Sequence, residues 1–234
     1  MPSEPNPRRG STASWQPIHD GILDAVARHR LGPGTKLVED EIAGINGVSR
    51  TVVRAALQAL ARDGVVVLQR NKGARIASPT PDEAREIFEA RAIVEPPLAA
   101  LAAARMRPED ARALRASIEA EHGAMHADDP LEAVYHSADF HRQIARASGQ
   151  GVLAAIVDGL LSRSSLVIAL YWRRPATLCD NAAHLALLDA LSRRDGAAAS
   201  DLMRQHLDAL LADLDLGTTP PPSSDLAAAL RAGG

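Results

Sequence analysis

Aromatic side chains are nearly missing from this chain: two Trp, two Tyr and two Phe make up 3% of its 234 residues. A core cannot then be built from large rings, and the heavy use of Ala and Leu predicts helices packed closely through small side chains. Cysteine is scarcer still. The single Cys179 excludes a disulfide framework within the chain and a multi-cysteine metal site, and it suits a reducing compartment. No apolar run approaches the ~18–20 residues of a membrane span, and no apolar signal region follows the polar start. Those two absences predict a cytoplasmic protein with no membrane partner. The formal net charge is only −3, yet it is unevenly spread. Through Ser78 there are 11 Lys+Arg against 7 Asp+Glu, and beyond it 15 against 22, so a part at +4 precedes a part at −7. That asymmetry is expected when one domain meets phosphate and the other does not.

The stretch from Ser49 to Gly64 is the most informative one present. Ser49 is a suitable N-cap and Gly64 a suitable stop, so a helix has punctuation at both ends. Val53, Ala56, Leu57 and Leu60 recur at three- and four-residue spacing and form a stripe for burial. Arg50, Thr51 and Arg54 stand at the N-terminal end with no carboxylate among them. Forked guanidinium donors there reinforce the partial positive charge of a helix start and suit the paired acceptors of guanine. An ordinary amphipathic helix with solvated arginines is the alternative, and the flanking segments decide between the two.

Upstream, Met1 to about residue 15 is Pro-, Ser- and Arg-rich, with an Arg8-Arg9 pair, and reads as an unstructured arm. From Pro17 to Arg30 the residues Ile18, Ile22, Leu23, Val26 and Ala27 share one helical face, which the Leu31-Gly32-Pro33-Gly34 turn ends. Lys36-Leu37-Val38 is a short extended candidate. Glu39 to Ile45 reads as a second helix, joined through Asn46-Gly47 to the one at Ser49, which makes a helix-turn-helix. Downstream, Val65–Leu68 and Ala74–Ala77 are β-forming and flank the polar tip Gln69-Arg70-Asn71-Lys72-Gly73, a hairpin with a basic loop behind the helix. Helix, basic end and hairpin together favour a DNA-recognition helix with a wing.

Residues 16–78 resemble the winged helix-turn-helix of the GntR family of bacterial transcription regulators. The resemblance is carried by Leu31–Ala43, by Val48–Leu57 and by Asn71–Ile76. It implies that Ser49, Arg50, Thr51 and Arg54 meet bases or adjacent phosphates of double-stranded operator DNA, and that Arg70, Asn71, Lys72 and Gly73 reach the minor groove. Val52 and Ala55 depart from the proline and glutamate common in that family. Neither change removes a donor.

Ser78–Asp82 is a linker ending in a helix start: Thr80 with Glu83 makes a capping box, and Pro81 takes the first helical position. Helices are predicted near Asp82–Met106, Pro108–His126, Pro130–Ala147, Gly151–Trp172, Thr177–Arg194 and Ala197–Leu214. Pro96-Pro97 should kink or split the first. The fold class is therefore mainly α: a winged helix-turn-helix over 16–78, then an all-helical antiparallel bundle of six or seven helices over 79–216, with an unstructured tail over 217–234.

Of the eight histidines, His19, His29, His122, His126 and His136 read as solvated or unremarkable. His141, His184 and His206 each sit mid-helix on or beside an apolar stripe, in three different helices. They can be three hydrogen-bonded core histidines, or three imidazoles converging on a metal ion. Here a second resemblance bears on the choice. Ile87–Pro96, Asp139–Gly149, Ala183–Ala190 and Met203–Leu207 are similar to the FCD domain, the FadR-like ligand-binding module of the same regulators. It implies that His141, His184 and His206 hold one divalent metal ion, zinc or nickel first. The Asp or Asn ligand usual four residues before the first histidine is Ser137 here, about 40° away on the helical wheel, while Asp139 lies about 200° away and points elsewhere. A serine is a weak ligand, so water or an effector carboxylate would complete the shell. Arg91 can pair with that effector or with Glu95 one turn on.

The sequence thus predicts a homodimeric, DNA-binding transcription regulator modulated by a small carboxylate metabolite, and not an enzyme. Two other classes compete. A metal-dependent hydrolase could use three histidines and an open position, though no acid or base stands at a defined spacing from them. A helical interaction module would leave the basic N-terminus incidental.

Overall fold

Ile18, Ile22, Ala25 and Val26 form the buried side of α1 (Gln16–Ala27), the first element of a computed structural model that describes residues 14–70, 73–172 and 182–217. A two-residue strand β1 (Lys36–Leu37) follows, then α2 (Glu39–Asn46) and α3 (Arg50–Arg62). Gly47 at φ 63° and Gly64 at φ 73° end α2 and the turn after α3 in the left-handed region, which is why the chain uses glycine at both places. Strands β2 (Val66–Gln69) and β3 (Gly73–Ile76) pair antiparallel, with Val66 opposite Ile76 and Gln69 opposite Gly73, and β1 adds to the free side of β3. Val53, Ala56, Leu57 and Leu60 of α3 are buried in one core with the α1 residues, Leu37, Ile42 and Ile76.

The linker ends in the expected capping box. Thr80 Oγ1 accepts from the Glu83 amide, and the Glu83 carboxylate accepts from the Thr80 amide. Six helices follow among the described residues: α4 (Pro81–Arg105), α5 (Pro108–His126), α6 (Pro130–Ala147), α7 (Gly151–Tyr171), α8 (Ala182–Ser192) and α9 (Gly196–Ala212). Asp129 caps α6 through the Glu132 amide, but the Glu132 side chain does not reach back to complete a box; it binds Arg28, just past the end of α1, instead. Helix α4 packs on α9, α7 and α6, and α5 packs on α6 and α8. The core is built of Ala and Leu, with Phe88 and Phe140 as its large rings.

Two expectations are corrected and a third is narrowed. Of the kink or split expected at Pro96-Pro97, the split does not occur, since α4 runs through both. Pro96 has no amide to donate to the Ala92 carbonyl, and Arg204 of α9 supplies a donor to that oxygen at 3.2 Å. Helix α7 is long and apolar enough to cross a membrane by composition, with mean hydropathy 1.7 over an 18-residue window, which a search for uninterrupted apolar runs passes over because Asp158 and Arg163 interrupt it. Its apolar content follows from its place: α7 packs on α1, α4 and α6, and its Leu166 is buried in the N-terminal core. His29 lies beyond α1 at φ 54° rather than in it, and its Nε2 is buried without a partner. Burial pushes its pKa down to about 4.

Residues 173–181, and with them Cys179 and the predicted start of α8, lie outside the described residues, as do the first 13 residues of the arm and the tail from 218 onward.

Candidate functional site

Ser49 has the extended backbone of an N-cap (φ −77°, ψ 154°), and its carbonyl accepts from the Val52 and Val53 amides. Its hydroxyl makes no cap hydrogen bond, so the cap is conformational only. Arg50, Thr51 and Arg54 are exposed on the first turns of α3, on the side away from the buried stripe. They are not free of carboxylates, however. Arg54 Nε lies 3.0 and 2.9 Å from the two Glu39 oxygens, while Arg50 Nε lies 3.1 Å from Asp40 and 3.5 Å from Glu39. These partners come from the start of α2, beyond the reach of local pattern reading. Each arginine keeps more than half of its side chain exposed, at 56% and 59%. Glu39 is correspondingly held below the usual carboxylate range by the Arg54 hydrogen bond.

Behind α3 the hairpin places Arg70 in its exposed turn, and Gly73 (φ 83°) opens β3. Asn71 and Lys72 lie outside the described residues. Arg75 on β3 donates to the Gly34 carbonyl, which ties the hairpin to the turn before β1.

In the helical part, α6, α8 and α9 bring His141, His184 and His206 together. The Nε2 of His206 is 3.1 Å from the Nε2 of His141 and 3.1 Å from that of His184, and all three ligand atoms lie within 4.8 Å of one another. The outer nitrogens are fixed from behind. Nδ1 of His141 donates to Glu95 at 2.6 Å, and Nδ1 of His184 donates to Glu121 at 2.8 Å. A carboxylate on Nδ1 sets the tautomer, so both Nε2 atoms present lone pairs. His206 Nε2 can carry one proton and satisfy one of them. The other Nε2 lone pair is then left without a full donor of its own, a deficit that a cation at the centre removes. Two nitrogens bound to one tetrahedral ion at about 2.0–2.1 Å sit about 3.3 Å apart, close to the spacing of His206 to its two neighbours. The donor set therefore fits a divalent metal ion. Burial, with the neighbouring imidazoles and Arg91, keeps His206 well below its ordinary pKa, and burial likewise lowers His141 against the pull of Glu95.

Glu95 is the hub of this arrangement. Burial alone would raise its carboxyl, but Arg91 and His141 hold it down to about 2. Arg91 Nε donates to Glu95 at 2.5 Å, so the ion pair that the sequence offered as one of two alternatives forms. Arg91 also lines a cavity with Ser137, His141, Ser164, Ser165 and Trp172, closed by apolar side chains of α4, α6, α7 and α9. The cavity holds about 30 Å³, room for one or two waters. Ser137 is buried and lines the same space, whereas Asp139 is turned away and accepts from Ser117, Arg142 and Gln143.

Sequence reasoning missed Glu121, Ser164 and Ser165. Glu121 had a signal: it continues the Leu114–Ser117–Ile118 stripe of α5, where a carboxylate must have a buried partner. The two serines donate to carbonyls one turn earlier and carried no signal of their own.

Known proteins share the two-part architecture. Residues 16–76 match the family of bacterial regulatory proteins called gntR, and residues 86–209 match the FCD domain. The chain is 29% identical over 215 residues to the Exu regulon transcriptional regulator of Escherichia coli K12, with 80% of each chain covered. It is 28% identical over 220 residues to the Uxu operon transcriptional regulator of the same organism, covering 83% of this chain and 84% of that one. Among solved structures, E. coli McbR/YncC superposes with a TM-score of 0.75 at 21% identity, over 86% of this chain and 98% of the other, a likeness of fold.

Proposed function

Because this chain belongs to the gntR family of bacterial regulatory proteins and carries an FCD domain, we propose that its transcription-regulating activity is switched by a small carboxylate bound beside a metal ion in the helical part. In this reading residues 16–78 form the DNA-binding unit and 79–216 the sensing unit. Arg50 and Arg54 exchange Glu39 and Asp40 for bases and phosphates of the major groove, with Ser49 and Thr51 beside them and the Arg70–Gly73 tip on the neighbouring groove. Two copies related by a two-fold axis would read a pseudo-palindromic operator.

The observation that carries the sensing half is the convergence of three imidazoles, one of which, His141, lines a cavity together with Arg91. His141, His184 and His206 would hold the ion, with zinc and nickel the best matches to an all-imidazole set. A bound divalent ion would supply a Lewis-acidic docking point for a carboxylate oxygen. Arg91, steadied by Glu95, contributes the opposing cationic donor, and Ser137 a hydroxyl where related domains place an acidic or amide ligand. Hydrolysis finds less support. Glu95 and Glu121, the carboxylates hydrogen-bonded to the cluster, are both taken up by imidazole Nδ1 atoms, which leaves neither as a general base.

A ligand shifts the DNA-binding unit only if it prefers one arrangement of the two parts. Helices α6 and α7 are placed to convey that preference. Arg28, at the end of α1, binds Glu132 of α6 at 2.6 Å and lies 3.9 Å above the Tyr135 ring, while α7 lines the cavity with Leu161, Ser164, Ser165 and Ile168 and buries Leu166 in the N-terminal core.

The test starts from an operator selected out of a random duplex pool and titrated with the intact chain at several salt concentrations. Arg50→Ala should cost about 1–3 kcal/mol of binding on that operator. In a panel of mono- and dicarboxylates at saturating zinc, at least one should move the operator midpoint, and His184→Ala should abolish that shift while operator binding persists. Salt-insensitive binding unaltered by Arg50→Ala would remove the DNA reading; a panel without effect, or an effect retained in His184→Ala, would remove the sensing reading.

A further inference from the structure

The last turn of α5 carries two histidines that the buried cluster does not use. His122 and His126 are one turn apart, both exposed, and their Nε2 atoms lie 2.9 Å from each other with the rings nearly perpendicular at 85°. Neither ring makes a hydrogen bond or ion pair with any other side chain among the described residues. The separation is informative. Two imidazole nitrogens each about 2.0–2.1 Å from one ion subtend about 90° when they are 2.9 Å apart. A spacing this short lets both nitrogens reach one ion, and imidazole nitrogens with water in a tetragonal shell suit copper(II) or nickel(II). The pair also sits at a helix C-terminus, where the free carbonyl ends favour a cation.

We propose that His122 and His126 form a second, solvent-facing chelate for a copper(II)-type or nickel(II)-type ion, separate from the buried cluster. Each imidazole gives one Nε2 lone pair, and water fills the remaining positions. The spacing of one helical turn sets the bite, so the ion needs no movement of the backbone. The neighbouring Glu121 faces the other way, 2% exposed and bonded to His184. The buried cluster draws from α5 only Glu121, the partner behind His184, so the two sites share no ligand. One consequence is stoichiometric: a chain with both sites filled carries two transition-metal ions, and the outer one exchanges with solvent directly.

The experiment is a copper(II) titration of the metal-stripped, full-length protein in a non-coordinating buffer, followed by calorimetry and electron paramagnetic resonance. His122→Ala and His126→Ala alter exposed side chains and should leave the circular dichroism unchanged. Each should weaken one copper class, its affinity falling at least about tenfold because a single imidazole replaces a two-point chelate. The nitrogen hyperfine pattern of that class should simplify from two ring nitrogens to one. His206→Ala, which breaks the buried cluster, should retain the outer class. If both outer variants keep the stoichiometry, affinity and spectrum of the unaltered chain, the pair is only a hydrogen-bonded couple and the proposal fails. That comparison uses chains with an intact buried cluster, so it is independent of whether His206→Ala folds.

Discussion

Replacing Glu121 by Gln offers the sharpest probe of the buried cluster, because its effect can be worked out from one contact. Glu121 is 2% exposed, and its hydrogen bond from His184 Nδ1, at 2.8 Å, is its one side-chain bond among the described residues. Glutamine keeps the shape and can still accept through its amide oxygen. What it loses is the charge that strengthens the bond and makes the imidazole a better donor to a metal. A charge-assisted hydrogen bond contributes about 1.5–3 kcal/mol and a neutral one about 0.5–1.5, so the apo protein should lose about 1 kcal/mol of stability. Metal affinity should fall further. Removing the partner behind a ligating histidine typically costs 10–100-fold, or about 1.4–2.7 kcal/mol. Glu95→Gln is a poorer choice, since Arg91 would then be buried beside a neutral amide and the fold would suffer for a separate reason. The assay is a competition titration of zinc against a chromogenic chelator, paired with urea unfolding of both apo proteins. An affinity unchanged within a factor of two, in a variant of near-normal stability, would mean that His184 does not ligate. The account of the cluster would then be refuted.

Two further outcomes follow from individual side chains. Leu166→Ala removes a fully buried α7 side chain from the N-terminal core, so it should cost about 2–5 kcal/mol in thermal or denaturant unfolding and weaken any effector-induced change in operator binding, while zinc affinity stays unchanged. His29 has its folded pKa depressed to about 4, so the unfolded chain binds its proton first: stability should be full above about pH 6.5 and fall as pH drops toward 4, by about 2 kcal/mol at pH 5. His29→Asn tolerates the left-handed backbone and removes that titration, so urea midpoints between pH 7 and 5 should flatten relative to the unaltered chain; an equal slope in both would place the acid sensitivity elsewhere.

Which parts of this architecture could be read in advance follows from where the determining contacts lie. The ends of α3, α5 and α6 were legible because local punctuation fixes them: Ser49 and Gly64, Pro108, and Asp129 with Pro130. The buried stripe of α3 was legible for the same reason, since periodicity within one helix decides it. The pairing of Arg50 and Arg54 with Glu39 and Asp40 was not, because it depends on how α2 crosses α3. Histidine spacing left core packing and metal binding both open, and the similarity to FCD domains weighted the choice. The structure adds carboxylates on the outer nitrogens of His141 and His184, an arrangement that the proposed ligand set needs and that neither spacing nor periodicity announces. Glu121 follows Glu119 in sequence and reads as a solvated acidic face unless its register with Leu114 and Ile118 is traced.

The proposed switch also has a mechanical requirement. At about 30 Å³ the cavity is too small for a carboxylate metabolite, so binding demands that its walls part. Two of those walls meet at the end of the bundle, where Trp172 bridges to Leu214 and the Asp215 amide donates to the Tyr171 carbonyl. Helix α7 cannot retreat there as an isolated wall. Tyr171 holds the Pro79 carbonyl in the linker through its hydroxyl, Leu166 is packed into the N-terminal core, and the Arg163 side chain lies against Gly64 just past the recognition helix. Packed cores shift between discrete arrangements rather than stretch. In the proposed switch, room made for a ligand beside Arg91 would be taken from contacts that fix the orientation of α3, and this would give a carboxylate bound there its differential hold on the two arrangements.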